Sequence, residues 1–237
     1  MPDTHLEAGL ITGSSEFSST ANGITNSAAL WGKDGLAYAY VENTSIPLLK
    51  TRLQYAKALD QTGIKVLDYR YVDARLSITK QTFVEGQYAE NRYQSANSSN
   101  MYGLTAGVNW KYLDFGVVYN KIQHNAFRAI NAGPMYTDWQ QGYANYEPSE
   151  ALGAYIVLKP MTDLSIKLGS VKVTAKEYST KDDYVESMLD ATYIINKSNR
   201  LRLRYSVKNM TDHAYAANPN YPDRNDLRLI YSYSFAN

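Results

Sequence analysis

The sequence predicts an all-β chain: a transmembrane, antiparallel up-and-down β-barrel, incomplete, with about 10–12 strands of a larger barrel. Three observations carry this. The last segment, Asn225 to Phe235, alternates without a break: Leu227, Leu229, Tyr231, Tyr233 and Phe235 fall on one side, and Arg228, Ile230, Ser232 and Ser234 on the other. Tyrosine is over-used, with 22 Tyr against 5 Phe and 3 Trp. Its ring suits a hydrocarbon edge and its hydroxyl needs water, the combination found in barrel girdles. Finally, short and long connections alternate along the chain, as they do when one rim carries tight turns and the other carries loops.

The bulk numbers are compatible. The 237 residues suffice for one sizeable domain, and 24 Lys+Arg nearly balance 23 Asp+Glu, so no global field points to nucleic acid. With no Cys, disulfides and thiolate metal sites are excluded. No apolar run approaches the roughly 18 residues of a membrane-spanning helix. A barrel hides within such a composition, because only alternate residues meet lipid.

Residues 1–35 are weakly patterned and read as an external loop or frayed start; 36–237 form the barrel domain. Met1-Pro-Asp-Thr-His-Leu-Glu lacks the basic and apolar parts of a leader, so a signal and leading strands are expected upstream. Strands are expected at Leu36–Thr44, Leu49–Leu59, Ile64–Asp73, Thr82–Tyr93, Tyr102–Trp110 and from Phe115, each by period-two alternation. Further strands are expected at Leu152–Lys159, Leu164–Ala175, Ser187–Ile195 and Arg200–Lys208; Leu164–Ala175 is long enough for a bulge near Gly169. The tight connections are Lys111–Asp114, Lys159–Asp163 and Asn196–Asn199. The long ones are Gln94–Asn100, Ile122–Ser149, Lys176–Glu186 and Asn209–Arg224. A C-terminus at the periplasmic rim places the long ones outside.

The order of these elements resembles the OprD-like outer-membrane porins. The residues that carry it are Gly-Pro-Met-Tyr-Thr-Asp-Trp-Gln-Gln-Gly-Tyr-Ala-Asn-Tyr-Glu-Pro-Ser over 133–149, Met101–Trp110 before it, and Asp223–Phe235 at the end. The family finishes on its aromatic residue, whereas Ala236 and Asn237 follow Phe235 here. The resemblance implies a C-terminal portion of a substrate-selective channel for small hydrophilic solutes, with a basic ladder in the lumen and a long loop folded into the pore. It implies residence in the outer membrane and contact with its lipid, and leaves a homo-oligomer open. Two alternatives stand beside it. Ser206–Tyr215 is similar to the end of TonB-dependent receptors, and a soluble β-sandwich or barrel binding module fits the same alternation.

Candidate site residues come from the strand faces. Arg200, Arg202, Arg204 and Lys208 share a face, and Arg228 adds to it from the next strand; Arg52 and Arg70 extend the basic set. Facing lipid, each Arg would cost roughly 2–4 kcal/mol near the midplane, so the strip belongs in water. Asp68, Glu85, Glu90 and Asp114 are the expected acidic members of the same lining. Opposed basic and acidic walls set up a transverse field. The connection 122–149, about 28 residues long, exceeds an inert one. Its Tyr136, Asp138, Trp139, Tyr143 and Glu147 are expected to narrow the pore. His5, His124 and His213 lack metal-ligand spacing, and no Walker loop, Gly-x-Ser-x-Gly or dinucleotide fingerprint occurs. No catalytic residue, metal or cofactor is therefore assigned.

Overall fold

The computed structural model describes residues 3–11, 16–20, 23–27, 36–59, 66–93, 97–124, 127, 148–175, 183–210 and 224–234. The first strands are β1 (Thr4–Ile11), β2 (Glu16–Thr20), β3 (Gly23–Ser27), β4 (Leu36–Asn43), β5 (Leu49–Ala58), β6 (Val66–Ser77) and β7 (Thr82–Tyr93). The others are β8 (Ser99–Asn109), β9 (Leu113–Gln123), β10 (Ser149–Met161), β11 (Leu164–Ala175), β12 (Tyr184–Ile194), β13 (Asn199–Met210) and β14 (Arg224–Tyr233). Twelve of them form one sheet in the order β1-β4-β5-β6-β7-β8-β9-β10-β11-β12-β13-β14, and β2 and β3 form a separate pair. From β4 onward each strand of the large sheet therefore lies beside its neighbour in the chain, an up-and-down meander, and β1 pairs with β4 past the β2–β3 pair. Lengths of 8 to 13 residues bracket the 9–11 that a tilted strand needs to cross hydrocarbon.

One strand of this sheet is additional to the expected set. Thr4–Ile11 lies within the stretch expected to be loop, yet pairs antiparallel with β4, Leu6 opposite Val41 and Ala8 opposite Ala39. Its alternation of Leu6, Ala8 and Leu10 with His5, Glu7 and Gly9 is the same signal, only shorter.

The contacts divide the chain into two compact units. Unit 1 comprises Met1–Leu76, Glu85–Tyr102 and Ile122–Gly133; unit 2 comprises Ser77–Val84, Gly103–Lys121 and Pro134–Asn237. In both, the sheet has two unlike faces. In unit 1, Leu6, Leu10, Leu53, Tyr55, Val72 and Leu76 are exposed on one face, while Asp73, Glu85, Gln87 and Asn91 are buried on the other. In unit 2, Leu201, Leu203 and Tyr205 of β13 are exposed beside Leu227, Leu229 and Tyr231 of β14, with Leu229 70% exposed. Opposite them Glu186, Asp190, Ser206 and Lys208 are buried. A water-soluble domain buries its apolar face; this sheet leaves that face open and buries charge. Had Leu201, Leu203 and Tyr205 pointed into a packed core, a membrane barrel would have been excluded.

Tight turns close one end of the strand pairs. Asn196 Oδ1 accepts hydrogen bonds from the backbone N–H of Ser198 and Asn199, both at 3.0 Å. Thr79 Oγ1 does the same for Gln81 and Thr82 at 3.1 and 3.0 Å. These side chains satisfy backbone donors that the turn removes from the ladder. The bulge expected near Gly169 is absent: Tyr155 pairs with Gly169 in unbroken register, and the shift falls between Leu158 and Met161. Pro160 sits within that gap and has no N–H to give the ladder.

Gly107 permits a close approach of two strands in unit 2. A Cβ there would lie 2.6 Å from the Phe115 carbonyl oxygen and 3.0 Å from the Phe83 ring. The backbone oxygen has no rotamer by which to retreat. Gly107→Ala is therefore expected to destabilise the sheet by about 1–3 kcal/mol, read as a lowered urea midpoint in detergent micelles.

Candidate functional site

On the polar face of unit 1 the charges are bound together. Arg52 of β5 stands opposite Asp73 of β6 in register, and its Nε lies 2.8 Å from Asp73 Oδ2. Its Nη2 reaches Glu85 Oε1 on β7 at 3.2 Å, and Arg75 Nη1 approaches Glu85 Oε2 at 3.6 Å. Nearer the turn between β4 and β5, Lys50 Nζ lies 2.8 Å from Glu42 Oε1, and the Tyr40 hydroxyl donates to Glu42 Oε2 at 2.9 Å. Toward the other end of the strands the same face turns aromatic. Tyr69 and Tyr71 stack at 6.4 Å, and Phe127 packs against Tyr69 at 6.0 Å. Phe127 belongs to the long connection after β9 and is fully buried, so that connection touches the polar face at this residue.

Unit 2 carries the basic strip. Register places Arg200, Arg202, Arg204, Ser206 and Lys208 on the face of Thr192, Asp190, Met188 and Glu186. Asp190 is the hub: it accepts from Nε and Nη2 of Arg202, and from Arg204 Nε at 3.1 Å. Lys167 of β11 is paired in register with Asp190 from the other side. Arg228 stands directly opposite Arg204, a like-charge pairing that costs energy unless each cation has its own partner. Both do: Arg204 turns to Asp190, and Arg228 Nη2 binds Asp226 Oδ2 at 2.6 Å. Lys208, opposite Glu186, holds its ammonium 4.1 Å from the centre of the Tyr184 ring. Beside the turn between β8 and β9, Lys159 Nζ lies 2.6 Å from Asp114 Oδ2.

The expected set is thus brought together only in part. Arg200, Arg202, Arg204, Lys208, Arg228 and Asp114 share the polar face of unit 2; Arg52 and Glu85 share that of unit 1. Asp68, Arg70 and Glu90 do not join Arg52 and Glu85. They alternate with Tyr69, Tyr71 and Asp73, or with Glu85, Gln87 and Ala89, and lie on the apolar face with Val72 and Tyr88. There Arg70 Nε lies 3.4 Å from Asp68 and its Nη1 3.4 Å from Glu90, while Arg92 Nη2 lies 2.5 Å from Asp68. The reason is that charged residues occur on both faces of these strands, so a charge does not by itself mark the polar face. Tyr136, Asp138, Trp139, Tyr143 and Glu147 lie outside the described residues.

Sequence reasoning misses Asp73, Glu186, Asp190 and Lys167. Asp73, Lys167 and Asp190 lie between apolar neighbours, as Asp190 does between Leu189 and Ala191, and that alternation is the signal that finds them; Glu186, between Val185 and Ser187, gives a weaker one.

No protein-family model and no curated protein matches the chain. Solved structures do. The outer membrane protein OprD from Pseudomonas aeruginosa superposes with a TM-score of 0.67 at 15% identity, over 97% of this chain and 64% of that one. The chain has the up-and-down β-barrel fold of these proteins. Acinetobacter baumannii OccAB4 gives 0.70 at 17% identity, over 97% of this chain and 61% of its own. Pseudomonas aeruginosa OccK3 (OpdO) gives 0.67 at 13%, over 84% and 56%. The chain therefore spans less than two thirds of the length of each.

Arg52 neutralises two carboxylates that have left water, Asp73 with 1% of its side chain exposed and Glu85 with 9%. Arg52→Ala strands Asp73 and leaves Glu85 to Arg75 alone. The expected loss is about 3 kcal/mol of stability, the low end for a broken buried pair because Arg52 is itself 31% exposed. Adding Asp73→Asn and Glu85→Gln should restore most of it, measured by urea unfolding.

Proposed function

We propose that this chain is part of an outer-membrane porin, a water-filled channel through which small hydrophilic solutes diffuse passively. The observation that carries the reading is the inverted partition of the sheet: exposed Leu, Val and Tyr on one face, ion-paired Arg, Lys, Asp and Glu on the other. Lipid suits the first face and a water-filled lumen the second. The fold likeness to OprD and the two Occ proteins supports the same reading.

The strip in unit 2 gives the channel its chemistry. Arg202 and Arg204 share Asp190, so two guanidinium groups are held by one carboxylate. Their positions are fixed by that anchor, and their charge exceeds it. A solute carboxylate passing along the strip exchanges water for charge-assisted hydrogen bonds from arginines already in place. The interaction stays weak enough for release because successive basic groups line β13, two residues or about 7 Å apart. In unit 1 the charges of Lys50, Arg52 and Arg75 are met by Glu42, Asp73 and Glu85, which stiffen the wall. Phe127 adds an aromatic side chain to the polar face of unit 1, packed against Tyr69.

The test is reconstitution of the full-length gene product in planar bilayers. Discrete conductance steps with a preference for anions are expected. Arg202→Gln with Arg204→Gln should lower the anion-to-cation permeability ratio several-fold while steps persist. An absence of steps overturns the channel, and an unchanged ratio removes the strip from selectivity.

A further inference from the structure

The charged cluster on the apolar face of unit 1 is unexplained by a lumen. Its surroundings are specific. Tyr55 stands opposite Arg70 in register and Lys57 opposite Asp68, one and two alternations beyond the Leu53–Val72 pair. Tyr88 and Tyr102 pack together at 5.2 Å on the same face. Along β6 the face thus passes from Leu76, Ala74 and Val72 to Arg70 and Asp68 within a single alternation, with tyrosines at the change. Tyrosine belts mark where hydrocarbon gives way to headgroups.

At this boundary the apolar face is grooved. Ala39, Val41, Leu53, Tyr55, Val72 and Tyr88 enclose about 380 Å³, with Arg70 at the edge. The small side chain of Ala39, opposite Tyr55, leaves the floor low. Above it the cations outnumber the acids. Asp68 and Glu90 are engaged by Arg70 and Arg92, yet both guanidinium groups remain half exposed and Lys57 is exposed as well. In unit 2, by contrast, the apolar-face pair Lys121 and Glu150 cancels at 3.0 Å.

We infer that this is a lipid site: a membrane lipid lays an acyl chain in the Ala39 groove and sets its phosphate on Arg70 and Arg92. The inference rests on the proposal that the apolar face meets membrane. Its own support is the pairing of an acyl-sized groove with surplus positive charge at the depth where a phosphate lies. Asp68 holds Arg92, and Glu90 holds Arg70, so the guanidinium groups are aimed before the lipid arrives. Lys57 adds charge without a fixed direction.

The experiment uses the chain inserted into vesicles of dimyristoylphosphatidylcholine, then transferred in nanodiscs to native mass spectrometry. The probes are phosphatidic acid and phosphatidylcholine of identical acyl chains. The first phosphatidic acid is expected to bind roughly fivefold more tightly, the gain one basic group gives at an anionic surface. Asp68→Asn with Arg70→Gln and Arg92→Gln should abolish the preference; Asp68 is included so that no buried carboxylate is stranded. Ala39→Phe, which fills the groove and leaves every charge in place, should weaken both lipids. Equal binding of the two lipids to the native chain overturns the site, as does a preference that survives the triple variant. Release of the lipid by inorganic phosphate would show that the groove contributes nothing, and overturns it too. Failure of the chain to stay with vesicles through an alkaline wash overturns the membrane reading beneath it, a separate result.

Discussion

The structure depends on one constraint: the backbone N–H and C=O groups of each strand must find their partners on the strands beside it. An antiparallel meander meets this with the least chain, each strand pairing with the one just made. Once the ladder exists, side chains have only two directions to go. Alternate residues then fall on two unlike faces, one apolar and exposed and one charged, and the sheet becomes a boundary between them. The turns at Asn196 and Thr79, the glycine at 107 and the register shift at Pro160 are local means of keeping the ladder unbroken.

That boundary explains the pattern of charge. On the polar face, ionised groups from neighbouring strands lie close together, and their sign has to be arranged. Arg204 and Arg228 are forced opposite each other by register, and separate carboxylates, Asp190 and Asp226, relieve the repulsion. Arg52 lies across Asp73 and reaches Glu85, tying three strands together. Such pairs add little net stability compared with apolar residues, but removing one partner is costly. They make a wall whose cations are held in fixed places, and on the proposed reading the surplus of base over acid in unit 2 is what would favour anions.

Most of this is legible in the alternation itself. The polar strip of β13 and its contact with Arg228 come from counting by twos from Leu201 and Leu227. The aromatic excess announces a boundary. The departures show where counting fails. Arg70, Asp68 and Glu90 group with the lining because they are charged, but along β6 and β7 they alternate with Asp73 and Glu85 and so share the face of Val72 and Tyr88. Thr4–Ile11 escapes notice because three alternating apolar residues, Leu6, Ala8 and Leu10, make a weak signal beside a Ser/Thr-rich stretch. The buried tyrosines 69 and 71 on an otherwise polar face give no sign of Phe127, since that contact is made across more than fifty residues of chain. Gly169 suggests a bulge by its identity, while the irregularity tracks the missing donor of Pro160 instead.

The central claim is that the two faces of one sheet meet two solvents, and strand β13 tests it most directly. The chain has no Cys, so single cysteines at 201 through 208 can each carry a nitroxide without a background. In lipid vesicles, collision rates with oxygen, which concentrates in hydrocarbon, should peak at 201, 203, 205 and 207. Collision rates with a water-soluble nickel chelate should peak at 202, 204, 206 and 208. Two out-of-phase profiles of period two are the predicted result. Profiles that rise and fall together, or that show the nickel chelate at Leu201, Leu203 and Tyr205, would contradict the account.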